Sequence, residues 1–74
     1  MNPFTVEVVA LVDAAGGLTT YPELLAAVAP ERRPELPRAL KEAKRSGALF
    51  QQVFFDPETG VNTHKLWTVG HAPV

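Results

Sequence analysis

The 74-residue chain contains no cysteine, and this absence excludes a disulfide framework, a thiolate nucleophile and a zinc–thiolate site. It also contains no apolar run near the roughly 18 residues that a membrane-spanning helix needs. The basic region and cleavage site of a signal peptide are missing from the first residues. We therefore expect a cytoplasmic protein that does not enter a membrane.

Residues that carry catalysis are equally scarce. Ser46 is the single serine, has no histidine near it in sequence, and suits a capping or loop role better than that of a nucleophile. His64 and His71 lack a cysteine or a carboxylate pair at ligand spacing, which argues against a metal site. Gly16-Gly17 stands alone and does not form a phosphate-binding loop. We expect no catalysis, no metal and no cofactor.

The size of the chain allows a single domain, residues 1–74. Its hydrophobic content of 46% is enough for a globular core. A core in so short a chain contributes only about 3–5 kcal/mol, so association with a second copy or with a partner is an ordinary way to stabilise it. A homodimer is therefore expected.

Local signals predict three helices, at residues 3–15, 21–29 and 34–46, and a short strand at 18–20. The first helix has a start signal in Asn2-Pro3 and a stop in the two glycines that follow it. Its β-branched residues would also suit a strand, but a run of alanines extends the pattern past the usual strand length. The second helix has a capping-box pattern in Thr20 and Glu23, and the third helix ends at Gly47.

From residue 49 the pattern of apolar side chains changes from helical to alternating. Two strands, at residues 49–55 and 61–69, flank the segment Asp56-Pro57-Glu58-Thr59-Gly60, whose proline and closing glycine are a strong hairpin signal. The predicted order is helix, short strand, helix, helix, strand, strand. This order indicates the α+β class.

Positive charge is concentrated on one predicted element. Six of the seven lysines and arginines lie within residues 31–47, which carry a net charge of +3, whereas the other 57 residues carry −4. On a helix, Leu36, Leu40 and Ala43 share one side, while Pro34, Arg38, Lys41 and Arg45 fall on the other. Cations near a helix C-terminus are common, and Lys44 and Arg45 fit that explanation. Arg32, Arg33 and Arg38 lie at the opposite end and do not fit it.

The segment LPRALKEAKRSGAL, residues 36–49, resembles the recognition helix of bacterial and phage winged-helix regulators and the start of the wing that follows it. Leu66-Trp67-Thr68 is similar to the second wing strand of that family. The resemblance covers nearly the whole chain. It implies a winged helix-turn-helix fold: three helices, a short strand after the first, and a C-terminal two-stranded β-hairpin as the wing.

The resemblance further implies a small transcriptional regulator that binds double-stranded DNA with its third helix in the major groove. Arg38 and Lys41 are then expected near base edges and the other cations near phosphates. A two-fold dimer on a palindromic site follows, with the first helix and the chain ends as its contact surface. The DNA-binding residues predicted on the helix and the wing are Arg32, Arg33, Arg38, Lys41, Lys44, Arg45, Asn62, Thr63, His64 and Lys65.

A second class of function stays open, that of a winged-helix protein–protein interaction module. The predicted wing tip is acidic, with Asp56 and Glu58, whereas a wing that contacts DNA is often basic. In this alternative the basic helix meets the acidic surface of a partner protein and the wing aromatics anchor the contact. Phe50, Phe54 and Phe55 lie so close together that one face cannot bury all of them, so an exposed aromatic is expected.

Overall fold

The computed structural model describes residues 1–73 and belongs to the predicted α+β class. Three α-helices, a 3₁₀ helix and a three-stranded antiparallel sheet follow in the predicted order. Their bounds are α1 Pro3–Ala14, β1 Leu18–Thr20, α2 Tyr21–Ala27, the 3₁₀ helix Pro30–Glu35, α3 Leu36–Ser46, β2 Phe50–Asp56 and β3 Val61–Trp67.

Helix α1 begins as its sequence signals predict, and the competing strand interpretation is wrong for this segment. The side-chain oxygen of Asn2 accepts a hydrogen bond from the backbone N–H of Phe4 at 2.9 Å, which satisfies one of the free donors of the first turn. Phe4, Val8 and Val12 lie on one side of the helix and are buried in the core. The helix therefore contributes one apolar face to the domain.

The end of α1 is attached to the chain segment that follows β3. The Thr68 hydroxyl donates to Oδ1 of Asp13 at 2.8 Å and lies 3.1 Å from Nδ1 of His71. The backbone N–H of Thr68 donates to the carbonyl of Gly17 at 2.9 Å. The imidazole of His71 packs so closely on Gly17 that a Cβ there would lie 2.3 Å from the ring. Glycine is favoured at position 17 by its backbone conformation, and a Cβ there would also displace the His71 ring.

Replacing Gly17 with alanine is expected to destabilise the domain more than replacing Gly16. Both glycines have positive φ, 88° at Gly16 and 84° at Gly17, so each substitution costs about 1–2 kcal/mol of backbone strain. Only the new methyl group at position 17 meets a neighbour, because nothing lies within 4 Å of a Cβ at position 16. Displacement of His71 adds about 1 kcal/mol. Urea denaturation of the two variants measures the difference, and equal losses would contradict the packing of His71 on Gly17.

Helix α2 has the predicted start but ends earlier than predicted, at Ala27 rather than at residue 29. The Thr20 side chain accepts from the backbone N–H of Glu23 at 3.4 Å, in the predicted cap. Val28 is already extended, with ψ of 136°. Ala29 precedes a proline, and that position disfavours the helical conformation.

Helix α3 begins at Leu36 and not near Pro34 as predicted, because residues Pro30–Glu35 form a 3₁₀ helix. An α-helix beginning at position 34 would place Pro37 where a backbone N–H is needed. A start at Leu36 instead places Pro37 at the second helical position, where no N–H is needed. The helix ends at Gly47, with φ of 80°, as the sequence predicts.

The sheet has the order β1-β3-β2, so the last strand in sequence is the central one. Leu18 and Phe50 both pair with Trp67 from opposite sides. The hairpin turn is the predicted one, and it is closed by a hydrogen bond from the Gly60 N–H to the Asp56 carbonyl at 2.8 Å. Strand β3 stops at Trp67 rather than at residue 69, because the chain turns there and the His71 N–H donates to the Thr68 carbonyl.

The two faces of the sheet have different environments. The inner face carries Leu66, which is fully buried in the core that the helices form, and strand alternation places every second residue of β2 and β3 on this face. The outer face carries the other set. The inner-face residues of the hairpin are Gln51, Val53, Phe55, Asn62, His64 and Leu66; those of the outer face are Phe50, Gln52, Phe54, Asp56, Val61, Thr63, Lys65 and Trp67.

Candidate functional site

Three cations form a continuous exposed surface on α3, here called the basic face: Arg38, Lys41 and Arg45. At 100° per residue they fall within an arc of roughly 60°, opposite the buried side chains of the same helix. Among residues 1–73, no hydrogen bond or ion pair engages their side chains. Glu42, the acidic residue of α3, accepts instead from the backbone N–H of Asn2 at 2.6 Å. The basic face therefore keeps its full positive charge.

A hydrogen-bonded chain connects the C-terminal end of α3 to the inner face of the sheet. Nζ of Lys44 donates to Oε1 of Gln51 on β2 at 2.9 Å. The Gln51 amide nitrogen donates in turn to Nδ1 of His64 on β3 at 3.2 Å. These contacts place His64 on the face of the hairpin that Lys44 of α3 reaches.

Arg32 lies away from the basic face and is engaged within the chain. It pairs with Glu35 three residues later, and its guanidinium carbon lies 4.3 Å from the centroid of the Phe4 ring. The hydrogen bond to Glu35 raises the pKa of Arg32 above its ordinary value. These contacts stabilise the junction between α1 and the 3₁₀ helix, and they partly neutralise the charge of Arg32.

Arg33 satisfies the C-terminal end of α2. Its Nε donates to the carbonyl of Leu25 at 3.0 Å and to that of Val28 at 3.2 Å. Carbonyl groups at a helix C-terminus lack partners and carry partial negative charge, so a cation is favoured there. As the sequence indicates, the dipole of α3 does not explain the position of Arg33. The dipole of α2 explains it. The sequence did contain a signal for this contact. Helix α2 has no basic residue in its own last turn, so its terminal carbonyl groups need a cation from elsewhere.

The four predicted wing residues divide between the two faces of the sheet. Asn62 and His64 share the inner face with Leu66, on the side of α3. Thr63 and Lys65 lie on the outer face, where Nζ of Lys65 is 4.8 Å from the centroid of the Phe54 ring. The structure thus links Lys44 to His64 through Gln51, with Asn62 on the same face of the hairpin, while Arg38, Lys41 and Arg45 form the basic face on the side of α3 that faces away from the core.

The prediction of exposed aromatic side chains is confirmed. Phe50 is 41% exposed and Phe55 63% exposed, although they lie on opposite faces of β2. Phe50 stacks on Trp67 with a centroid separation of 6.1 Å. The hairpin therefore presents apolar surface on both faces.

No set of three or more His, Asp or Glu side chains within residues 1–73 is placed to hold a metal ion. The hydroxyl of Ser46 donates to the Ala43 carbonyl at 2.9 Å, as expected of a residue at a helix end. In this part of the chain no helix is both long enough and apolar enough to cross a membrane.

No family model, curated protein or solved structure matches this chain. A functional assignment therefore rests on three features of the structure itself. They are the uncompensated cations of the basic face, the polar chain that joins α3 to the hairpin, and the exposed apolar side chains of β2.

Proposed function

We propose that this chain is a small winged-helix domain that binds double-stranded DNA by inserting α3 into the major groove. The observation that carries the proposal is the basic face, with three exposed cations on the side of α3 that faces away from the core. The order of the elements and the C-terminal hairpin beside α3 support the winged-helix assignment. The eleven residues of α3 span about 16 Å, a length that suits a groove about 12 Å wide.

In this proposal the residues on the side of α3 have separate roles. Arg38 and Lys41 point towards base edges, because they occupy the centre and the N-terminal half of the basic face. Arg45 and Lys44, near the end of the helix, neutralise phosphates, and His64 on the hairpin contacts the backbone beside the groove. Arg32 and Arg33 are left out because their partners hold them away from the basic face, at Glu35 and Phe4 and at the end of α2. Thr63 and Lys65 are left out because they lie on the opposite face of the sheet.

The proposed biological role is that of a transcriptional regulator and not of an enzyme. A domain with so few free cations gains little from neutralising phosphates, so one copy binds duplex DNA weakly. Two copies on a palindromic site bind more tightly, since the two half-sites are then occupied together.

Fluorescence anisotropy with a labelled mixed-sequence duplex, repeated at several salt concentrations, tests DNA binding. The affinity is expected to fall steeply as salt rises, because bound cations release the counterions of the phosphates. The absence of any binding at low salt and tens of micromolar protein, where even non-specific contact registers, contradicts the proposal.

A matched pair of charge reversals locates the interface. Lys41→Glu on the basic face is expected to weaken DNA binding about tenfold or more, whereas Lys65→Glu on the outer face changes it far less. Both substitutions alter the net charge by the same amount, so a general electrostatic effect would weaken binding equally. Equal losses in the anisotropy titration would therefore remove α3 as the contact surface.

A protein-interaction module is the second candidate, and the exposed Phe50 and Phe55 together with the acidic hairpin tip favour it. In this case the basic face meets an acidic protein surface and the aromatic side chains supply the apolar anchor. The salt series separates the two candidates, because only the first predicts binding to a duplex in the absence of other proteins.

A further inference from the structure

Strand β2 is an edge of the sheet that carries none of the usual protection against pairing. Its seven residues, FQQVFFD, include no proline, lysine or arginine, and its register with β3 is continuous and has no bulge. Proteins commonly shield an edge strand with such residues, with a bulge or with a very short strand. The opposite edge follows this rule, since β1 has three residues. One side of β2 therefore offers unpaired backbone groups along its length.

Exposed apolar side chains accompany that free edge. Phe50, Val53 and Phe55 are 41%, 48% and 63% exposed. Phe50 lies on the outer face and Val53 and Phe55 lie on the inner face, so a strand added to this edge would cover apolar surface on both. By comparison, Val6 is the strongly exposed large apolar residue of α1. Among the described residues, three of the eight exposed large apolar side chains lie on β2, more than on any other helix or strand.

Charge identifies the strand that fits this edge. Lys44 and Arg45 lie in the last turn of α3, a few residues before β2, whereas Asp56 ends β2 and Glu58 lies in the turn that follows it. An antiparallel pair of β2 strands brings the basic end of each copy to the acidic end of the other, twice by symmetry. A parallel pair brings like charges together, which is unfavourable. The charges near the two ends of β2 therefore favour antiparallel pairing of two copies and disfavour parallel pairing.

We propose that two copies of this chain pair antiparallel through β2, about a two-fold axis at Val53, to form a continuous six-stranded sheet. A two-fold axis that makes two edge strands antiparallel is perpendicular to the sheet. The inner faces of both copies therefore lie on the same side of the six-stranded sheet. Both α3 helices then lie on one side of the dimer. The interface is distinct from the surface predicted from sequence, the first helix with the chain ends, and its existence does not depend on DNA binding.

Disulfide trapping tests the pairing directly, because the chain has no cysteine of its own. At the axis Val53 lies opposite its own copy, with Cβ atoms about 4.5–5.5 Å apart, within reach of a disulfide. Oxidised Val53→Cys is expected to give a covalent dimer on a non-reducing gel. The controls Val61→Cys on the central strand and Val6→Cys on α1 are similarly exposed, at 54% and 51% for the native side chains, and stay monomeric.

Sedimentation equilibrium of the native chain gives the second measurement. A reversible dimer is expected, and Val53→Lys is expected to be monomeric with an unchanged circular dichroism spectrum, since it places two like charges face to face. A native chain that is monomeric up to about 0.5 mM, a concentration at which even weak association registers, overturns the proposal. A Val53→Lys variant that still dimerises, or a covalent dimer formed more readily by Val6→Cys, also overturns it.

A charge swap tests the direction of pairing. Arg45→Glu and Glu58→Arg are each expected to raise the dimer dissociation constant several-fold, while the double variant recovers the native value because the opposite charges meet again. Failure of the double variant to recover excludes the antiparallel arrangement. No DNA is present in these experiments, so their failure is distinguishable from failure of the proposed DNA binding.

Discussion

Replacing Leu66 with alanine is expected to unfold most of the domain at room temperature. Leu66 is fully buried at the centre of the sheet and lies within the core formed with α1 and α3. Removal of such a side chain costs about 2–5 kcal/mol, from lost burial and the cavity that remains. The whole core of a chain of this size supplies about 3–5 kcal/mol, so little or no stability remains.

Far-UV circular dichroism during urea denaturation measures this loss. Val61→Ala is the matched control on the same strand, because Val61 is 54% exposed and its truncation is expected to change stability by less than about 0.5 kcal/mol. A Leu66→Ala protein whose unfolding midpoint stays close to that of Val61→Ala would show that the core does not depend on this side chain.

Reversing Arg38 and Lys41 together to glutamate is expected to abolish DNA binding and leave the fold intact. Both side chains are exposed and make no internal hydrogen bond or ion pair in residues 1–73, so folding does not require them. Each contributes about 1–3 kcal/mol when it contacts a base or phosphate, so the combined loss is at least about thirtyfold in affinity. Repulsion between the new carboxylates and the DNA backbone increases the loss further.

The anisotropy titration is compared at one salt concentration for the native chain, the double reversal and an Arg38→Gln/Lys41→Gln variant. The glutamine variant loses the contacts without adding repulsion, so an intermediate affinity is expected. Circular dichroism and thermal unfolding check that all three proteins are folded. If the double-reversal variant binds DNA with an affinity within about threefold of the native value, the DNA contact lies somewhere other than the basic face.

The elements that sequence predicts well are those whose signals are local. Asn2 and Thr20 bond to backbone groups two or three residues later, and Gly47 ends α3 by its own conformation. The hairpin is likewise defined within the segment from Asp56 to Gly60. Such contacts form between residues that are close in the chain, so their pattern is visible without the fold.

The features that sequence did not predict depend on distant residues. The central position of β3 arises from pairing with β1, and Leu18 meets Trp67 only after the helices between them have packed. The contact of Arg33 with α2 depends on the path of the 3₁₀ helix. The distribution of the predicted wing residues over the two faces of the sheet could have been predicted from sequence. Strand alternation from the buried Leu66 assigns His64 and Asn62 to one face and Lys65 to the other.

The central position of β3 also has a consequence for how the chain acquires its structure. The sheet joins β1 to a strand nearly fifty positions later, so the ends of a long loop must meet before β1 has its partner in place, whereas β2 meets β3 across a short turn. Helices can form transiently as the polypeptide leaves the ribosome, but the core lacks Leu66 until β3 has emerged. We therefore expect the domain to fold late in its own synthesis and in one cooperative step, with no stable fragment that ends before β3.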